Sequence, residues 1–138
     1  MSTTISPEIS EKNEYWIDKH RYYELKHFCL QYPLWKKAYQ SFDGYSKQPV
    51  GSEIVKCNNH GDPTAKCIED REYYFNQMKI IEQIAIKTDS ILGSYILIGV
   101  TEGLSYNVLK MRYNVPCCRD TYYNLYRRFF WLLSQERR

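Results

Sequence analysis

Three sets of residues in this chain have types and spacings that could do chemistry. The first would ligate a soft metal: Cys57-x2-His60-x6-Cys67 offers two thiolates and an imidazole, and Cys29 or Cys117 could supply a fourth ligand. Zinc frameworks use two ligand pairs such as C-x2-C or H-x3-H, and only one half-pair is present. Cys29 and Cys67 therefore read as core thiols and His60 as a loop residue. Cys57, His60 and Cys67 stay as weak metal candidates, and no metal or cofactor is expected.

The second set would be catalytic. His20 and His27 could share a helix face, but no serine or cysteine nucleophile stands at a signature spacing from them. "GDPTAKC" lacks the second glycine and the Gly-Lys-Ser/Thr end of a phosphate loop. Glu69, Asp70 and Glu72 read as the solvated face of a helix. No enzyme is expected, and no catalytic residue is assigned.

The third set lies in "NVPCCRDTYYNLYRRFFWLL", residues 114–133. From Lys110 onward there are seven basic residues (Lys110, Arg112, Arg119, Arg127, Arg128, Arg137, Arg138) against two acids (Asp120, Glu136), a balance of +5. The whole chain carries +3, so residues 1–109 carry −2. A basic end on a near-neutral body suits nucleic acid, because cations replace the counterions condensed on phosphates. The same charges could equally be a solvated tail.

The elements that must position these residues are helical. At 138 residues, 43% hydrophobic and 25% charged, the chain is one domain of ordinary globular composition, with an unusual 14 tyrosines. Its five cysteines are odd in number and irregular in spacing, which argues for reduced thiols and a cytoplasmic location. The start lacks a secretory pattern, and "SILGSYILIGV" is too short for a membrane span, so no membrane partner is expected.

Periodicity near 3.6 dominates, and no alternating strand pattern stands against it. In residues 8–32, Tyr22, Leu25, Cys29 and Tyr32 share one face until Pro33 stops or kinks the helix, and "LWKKAYQ" makes a short helical piece. Residues 41–62, rich in glycine, asparagine and serine, read as a long flexible loop. Asp62 and Pro63 open a helix with two apolar stripes, Cys67, Tyr74, Met78, Ile81 and Ala85 on one and Tyr73, Ile80 and Ile84 on the other. Asp89 can cap the next helix, which Gly103 ends, and Ser105 begins "YNVLKMRY".

A short helix, a brief turn and a longer helix make the plan of a helix-turn-helix, whose second helix enters the DNA major groove. If Cys118 caps that helix and Leu125 faces the core, then Thr121, Tyr122, Phe129, Leu132 and Leu133 are buried at 100° per residue. Arg119, Asp120, Tyr123, Asn124 and Arg127 then face outward, with Arg128 on the flank. Arginine forks onto guanine, asparagine onto adenine, and tyrosine reaches phosphate. The rival reading is an amphipathic core helix with a solvated basic face.

Gly103, Ser105 and Tyr106 opening the first helix, Leu109 in its core, and Cys118-x-x-Thr121 opening the second carry a resemblance. "VTEGLSYNVLKMRYNVPCCRDTYYNLYRRFFWLL" resembles the helix-turn-helix of sigma-factor region 4, and more closely the RinA/ArpU type of phage- or prophage-encoded transcriptional regulators. The family's turn glycine is replaced by Asn114, its serine or threonine cap by Cys118, and the turn is about two residues longer. The resemblance implies a regulator that contacts promoter DNA, alone or alongside host RNA polymerase.

The resulting expectation is an all-α protein: an N-terminal helical arm (1–40), a flexible loop (41–62) and a helical bundle (63–138) ending in a helix-turn-helix (105–134). The recognition helix covers about residues 118–134. Arg119, Asp120, Tyr123, Asn124 and Arg127 address bases and nearby phosphates of double-stranded DNA, and Lys110, Arg112 and Arg128 hold the backbone. Trp16, Tyr23, Phe28 and Trp35 of the arm serve homodimerisation or polymerase contact. The alternative is a small phage protein that inhibits or redirects a host protein or nucleoprotein complex, anti-defence inhibitors included.

Overall fold

Capping residues set where the helices begin and end. The computed structural model describes residues 13–47 and 63–137. Among these, every regular element is a helix: α1 (Lys19–Leu30), α2 (Tyr32–Lys47), α3 (Pro63–Thr88), α4 (Gly93–Glu102), α5 (Tyr106–Tyr113) and α6 (Arg119–Glu136). The protein is all-α. No helix among the described residues is long and apolar enough to cross a membrane.

α1 starts at Lys19 because the Asp18 carboxylate accepts from the His20 N–H at 3.0 Å. α2 follows after Gln31, with Pro33 in its first turn, where its missing N–H costs nothing. The first residues of the expected 41–62 loop are helical, since α2 runs to Lys47; residues 48–62, including Cys57, His60 and Asp62, lie outside the described residues. Asp89 accepts from the N–H groups of Ile91 and Leu92 at 2.9 and 2.8 Å, so it orders the turn before α4 rather than capping the helix itself. α4 ends at Gly103, whose φ of 68° is the left-handed conformation expected there.

The chain divides into two units, Met1–Gln31 with Ile81–Arg138, and Tyr32–Ile80. In the first, α1 packs on α4 and α6, α4 packs on α5 and α6, and α5 packs on α6. Leu25, Cys29, Ile81, Ile96, Leu109, Phe129 and Leu133 of this unit are fully buried. Burial drives the Cys29 thiol far above its usual pKa, so it behaves as a small apolar side chain.

α1 is thus part of the bundle, not of a separate arm over 1–40. Its Arg21 reinforces this by donating to the Ser134 carbonyl at 3.1 Å, the Ser134 hydroxyl at 3.2 Å and the Arg137 carbonyl, groups left without helical partners at the end of α6. The Arg137 guanidinium in turn lies 3.9 Å from the centroid of the Phe28 ring. Phe28 and Trp35, expected on a partner-facing surface, are both buried; Trp16 is half-buried and Tyr23 exposed.

Tyrosines fill the seam between α1 and α6. The hydroxyls of Tyr22 and Tyr126 hydrogen-bond at 2.8 Å, and the Phe130 ring meets both edge-on at 5.2 and 5.0 Å. Desolvation raises the pKa of Tyr22, Tyr122 and Tyr126, because their ionised forms would sit in the packed interior. Folded pKa values above the unfolded ones mean that this contribution to stability is complete below about pH 10 and is lost as pH rises toward the folded values. Urea melts should therefore give a stability that falls above about pH 10, with Tyr122 and Tyr126 each contributing up to about 1.4 kcal/mol per pH unit. Tyr126→Phe should flatten that fall, and an unchanged slope in the variant would contradict the assignment.

Candidate nucleic-acid interface

The segment from α5 to α6 is held at both ends and through the connection between them. Ser105 caps α5 by accepting from the Val108 N–H at 3.4 Å, and Tyr106 N–H donates to the Tyr123 hydroxyl of α6 at 3.0 Å. At the other end Asn114 takes the left-handed conformation, φ 54° and ψ 54°, and its N–H donates to the Lys110 carbonyl at 3.0 Å. Asparagine adopts here the left-handed conformation that glycine takes more readily at helix ends, at a modest conformational penalty.

The connection, residues 114–118, is pinned by side chains on α5. Val115 is fully buried, the Lys110 ammonium donates to its carbonyl at 3.0 Å, and the Tyr106 hydroxyl donates to the Cys117 carbonyl at 2.6 Å. Cys118 is the N-cap of α6, but its side chain makes no cap hydrogen bond to the backbone. Its thiol instead pairs with the Thr121 hydroxyl at 3.2 Å. The hydrogen bond with the Thr121 hydroxyl lowers the Cys118 pKa, whereas burial raises that of Cys117.

α6 is seated by Tyr122, Phe129, Phe130 and Leu133, all buried. Leu125 and Leu132 are half-buried and Thr121 is exposed, which corrects the expected core face. The buried stripe is turned toward Phe130 because α1 packs on that side of α6. Thr121 consequently joins the outer surface.

Of the eight residues expected to meet DNA, Arg119, Asp120, Asn124, Lys110 and Arg112 are exposed. Tyr123, Arg127 and Arg128 are half-buried. Arg119 and Asp120 occupy the first turn of α6 and Asn124 the second, so these three and Thr121 make a polar surface at its N-terminal end. The Arg119 guanidinium lies 5.6 Å from the centroid of the Tyr123 ring, and that tyrosine's hydroxyl already serves α5. Tyr123 thus orients an outward arginine as well as tying the two helices.

Arg128 donates to the Tyr15 hydroxyl at 3.2 Å, and the Nε atoms of Arg127 and Arg128 are shielded from solvent without a partner among the described residues. These two arginines stand farther along α6 and reach solvent less freely than Arg119. Lys110 keeps two N–H groups beyond its bond to Val115, and Arg112 extends from the last turn of α5.

Of the metal candidates only Cys67 is described, half-buried on α3. No cluster of three histidine, cysteine, aspartate or glutamate side chains that could hold a metal occurs among the described residues. No family model, curated protein or solved structure matches the chain.

Proposed function

We propose that the protein is a sequence-specific DNA-binding transcriptional regulator of phage or prophage genes, with the helix at about residues 118–134 entering the major groove. One observation carries this reading. The first two turns of α6 expose Arg119, Asp120, Thr121 and Asn124, while Tyr122, Phe129, Phe130 and Leu133 of the same helix are buried. A helix seated along one side and polar on the outer side of its first two turns can be inserted into a groove without unpacking the core.

The roles follow from side-chain geometry. Arg119 has the fork that pairs with guanine O6 and N7, and Asn124 the amide that pairs with adenine N6 and N7; a good bidentate contact discriminates by about 1–3 kcal/mol. Asp120 accepts from the cytosine amino group. Lys110, Arg112 and the flanking Arg127 and Arg128 supply phosphate contacts, which fix register and make affinity dependent on salt. Host RNA polymerase and a second copy of the chain are the partners that this reading admits.

A second reading is favoured by Met111, 83% exposed, and the exposed Tyr113, which stand on either side of Arg112. Methionine, tyrosine and arginine are typical of protein-binding surfaces, as a phage inhibitor of a host protein would need.

Selection from a pool of randomised duplexes, followed by salt-titrated binding, separates the two. Wild-type protein should enrich a motif and bind it more weakly as salt rises. Arg119→Ala should lose about 1–3 kcal/mol and relax the preference at one position, and Arg112→Ala should reduce the salt slope by about 1. Lack of any salt-sensitive duplex binding would remove the regulator reading and leave the protein-binding one.

A further inference from the structure

The unit of residues Tyr32–Ile80 has a cationic and aromatic surface of its own, built from α2 and α3. The Arg71 guanidinium lies 4.7 Å from the centroid of the Tyr39 ring and donates to its hydroxyl at 3.1 Å. Tyr39 and Phe75 follow with ring centroids 5.9 Å apart and planes inclined by 34°, and the Lys79 ammonium stands 5.2 Å from the Phe75 centroid. The order is cation, ring, ring, cation across two helices.

The outer side of this ladder is open. Phe75 is 42% exposed, and Lys79 is exposed one turn farther along α3. Lys36, one turn before Tyr39 on α2, is exposed as well. Among the described residues one turn either side of Tyr39 and Phe75, the charged side chains are Lys36, Arg71, Glu72 and Lys79, three cations to one carboxylate.

We propose that this surface binds single-stranded nucleic acid, with a base stacked on Phe75 and the adjoining phosphates on Lys36 and Lys79. Proteins that hold single strands combine aromatic platforms with a cationic track, and every base has a face to offer such a ring. A duplex does not, because its base faces are stacked on one another. A base arriving at Phe75 displaces the Lys79 ammonium from the ring, and the freed cation can take the phosphate of the same nucleotide. Stacking is the stronger of the two contacts at an exposed site, so the exchange favours the bound state. An acidic peptide could use the lysines but would leave the aromatic face unused.

The test uses the full chain and fluorescein-labelled oligo(dT) and oligo(rU) of about 15 nucleotides, long enough for one site of this kind. Binding of at least one oligonucleotide should saturate and weaken with added salt. Phe75→Leu should lower affinity by about five- to a hundredfold, while Phe75→Trp, which keeps a ring, should retain it. Lys36→Ala and Lys79→Ala should each reduce the salt slope by about 0.7. Thermal melts of the variants separate loss of binding from loss of fold. Loss of oligonucleotide binding in Phe75→Leu while selection of duplex persists, or the reverse, tells failure here from failure at α6. No salt-sensitive oligonucleotide binding, equal binding of polyglutamate or of anionic vesicles, or indifference to Phe75→Leu would each overturn the proposal.

Discussion

Phe130→Ala should lower the unfolding free energy by about 3–5 kcal/mol, measured by urea denaturation with a two-state fit. Phe130 is 1% exposed, and its ring meets Tyr22, Tyr126 and Phe129 at 5.2, 5.0 and 5.1 Å, each in an edge-on arrangement. Truncation removes the buried ring and leaves a cavity that rigid neighbours cannot refill, and it also forfeits edge-to-face contacts of about 0.5–1.5 kcal/mol each. Against a typical total of about 5–15 kcal/mol, such a loss takes away a large share of the stability. Met111→Ala on the open face of α5 serves as the control, with an expected change within about 0.5 kcal/mol. A loss below about 1 kcal/mol for Phe130→Ala would mean that α1 does not close on α6 as described.

The second large effect is a coupling between Gly99 and Tyr122. A Cβ added at Gly99 would lie 2.2 Å from the Tyr122 hydroxyl oxygen and 3.0 Å from Leu109 Cδ1. Gly99→Ala should therefore destabilise by about 1–3 kcal/mol through overpacking, in spite of the roughly 1 kcal/mol that alanine gains over glycine within a helix. The Tyr122 hydroxyl is buried and has no hydrogen-bond partner among the described residues. Tyr122→Phe removes that unpaired group and should be neutral or stabilising by about 1 kcal/mol.

The double variant is the decisive member of this cycle. Once the hydroxyl is gone, the nearest fixed obstacle to the new methyl is Leu109 Cδ1 at 3.0 Å, the end of a side chain that can yield. Gly99→Ala should then be close to neutral in the Tyr122→Phe background, a coupling of about 1–3 kcal/mol. Equal destabilisation in both backgrounds would show that the close approach of α4 to α6 does not involve the hydroxyl. Functionally the pair matters because Tyr122 seats the helix whose next residue, Tyr123, holds Arg119 in place.

Local signals in the sequence carried the helices. Ser105, Asn114, Gly103 and Asp18 act on backbone groups within a few residues of themselves, so their effects do not depend on what packs nearby. The all-α class and the α5–α6 boundaries were legible for that reason, and so was the exposure of Arg119, Asp120 and Asn124 at the start of α6. The chemical types that suit DNA were legible as types only. Their number free to act was not, since Lys110, Tyr123 and Arg128 each hold an internal hydrogen bond to a group that periodicity does not bring into view.

Tertiary structure decided the rest. A helical period fixes which residues share a face but not which neighbour covers that face. Thr121 is therefore exposed and Phe130 buried, because α1 packs on the Phe130 side of α6. For the same reason Phe28 is core, and the N-terminal helix belongs to the bundle rather than to an arm. The ladder of Arg71, Tyr39, Phe75 and Lys79 joins residues 32 positions apart at its Arg71–Tyr39 bond, and only the packing of α2 on α3 could assemble it. By itself the sequence determined a helical chain with a basic C-terminal end; packing determined which of its polar side chains remain available to a partner.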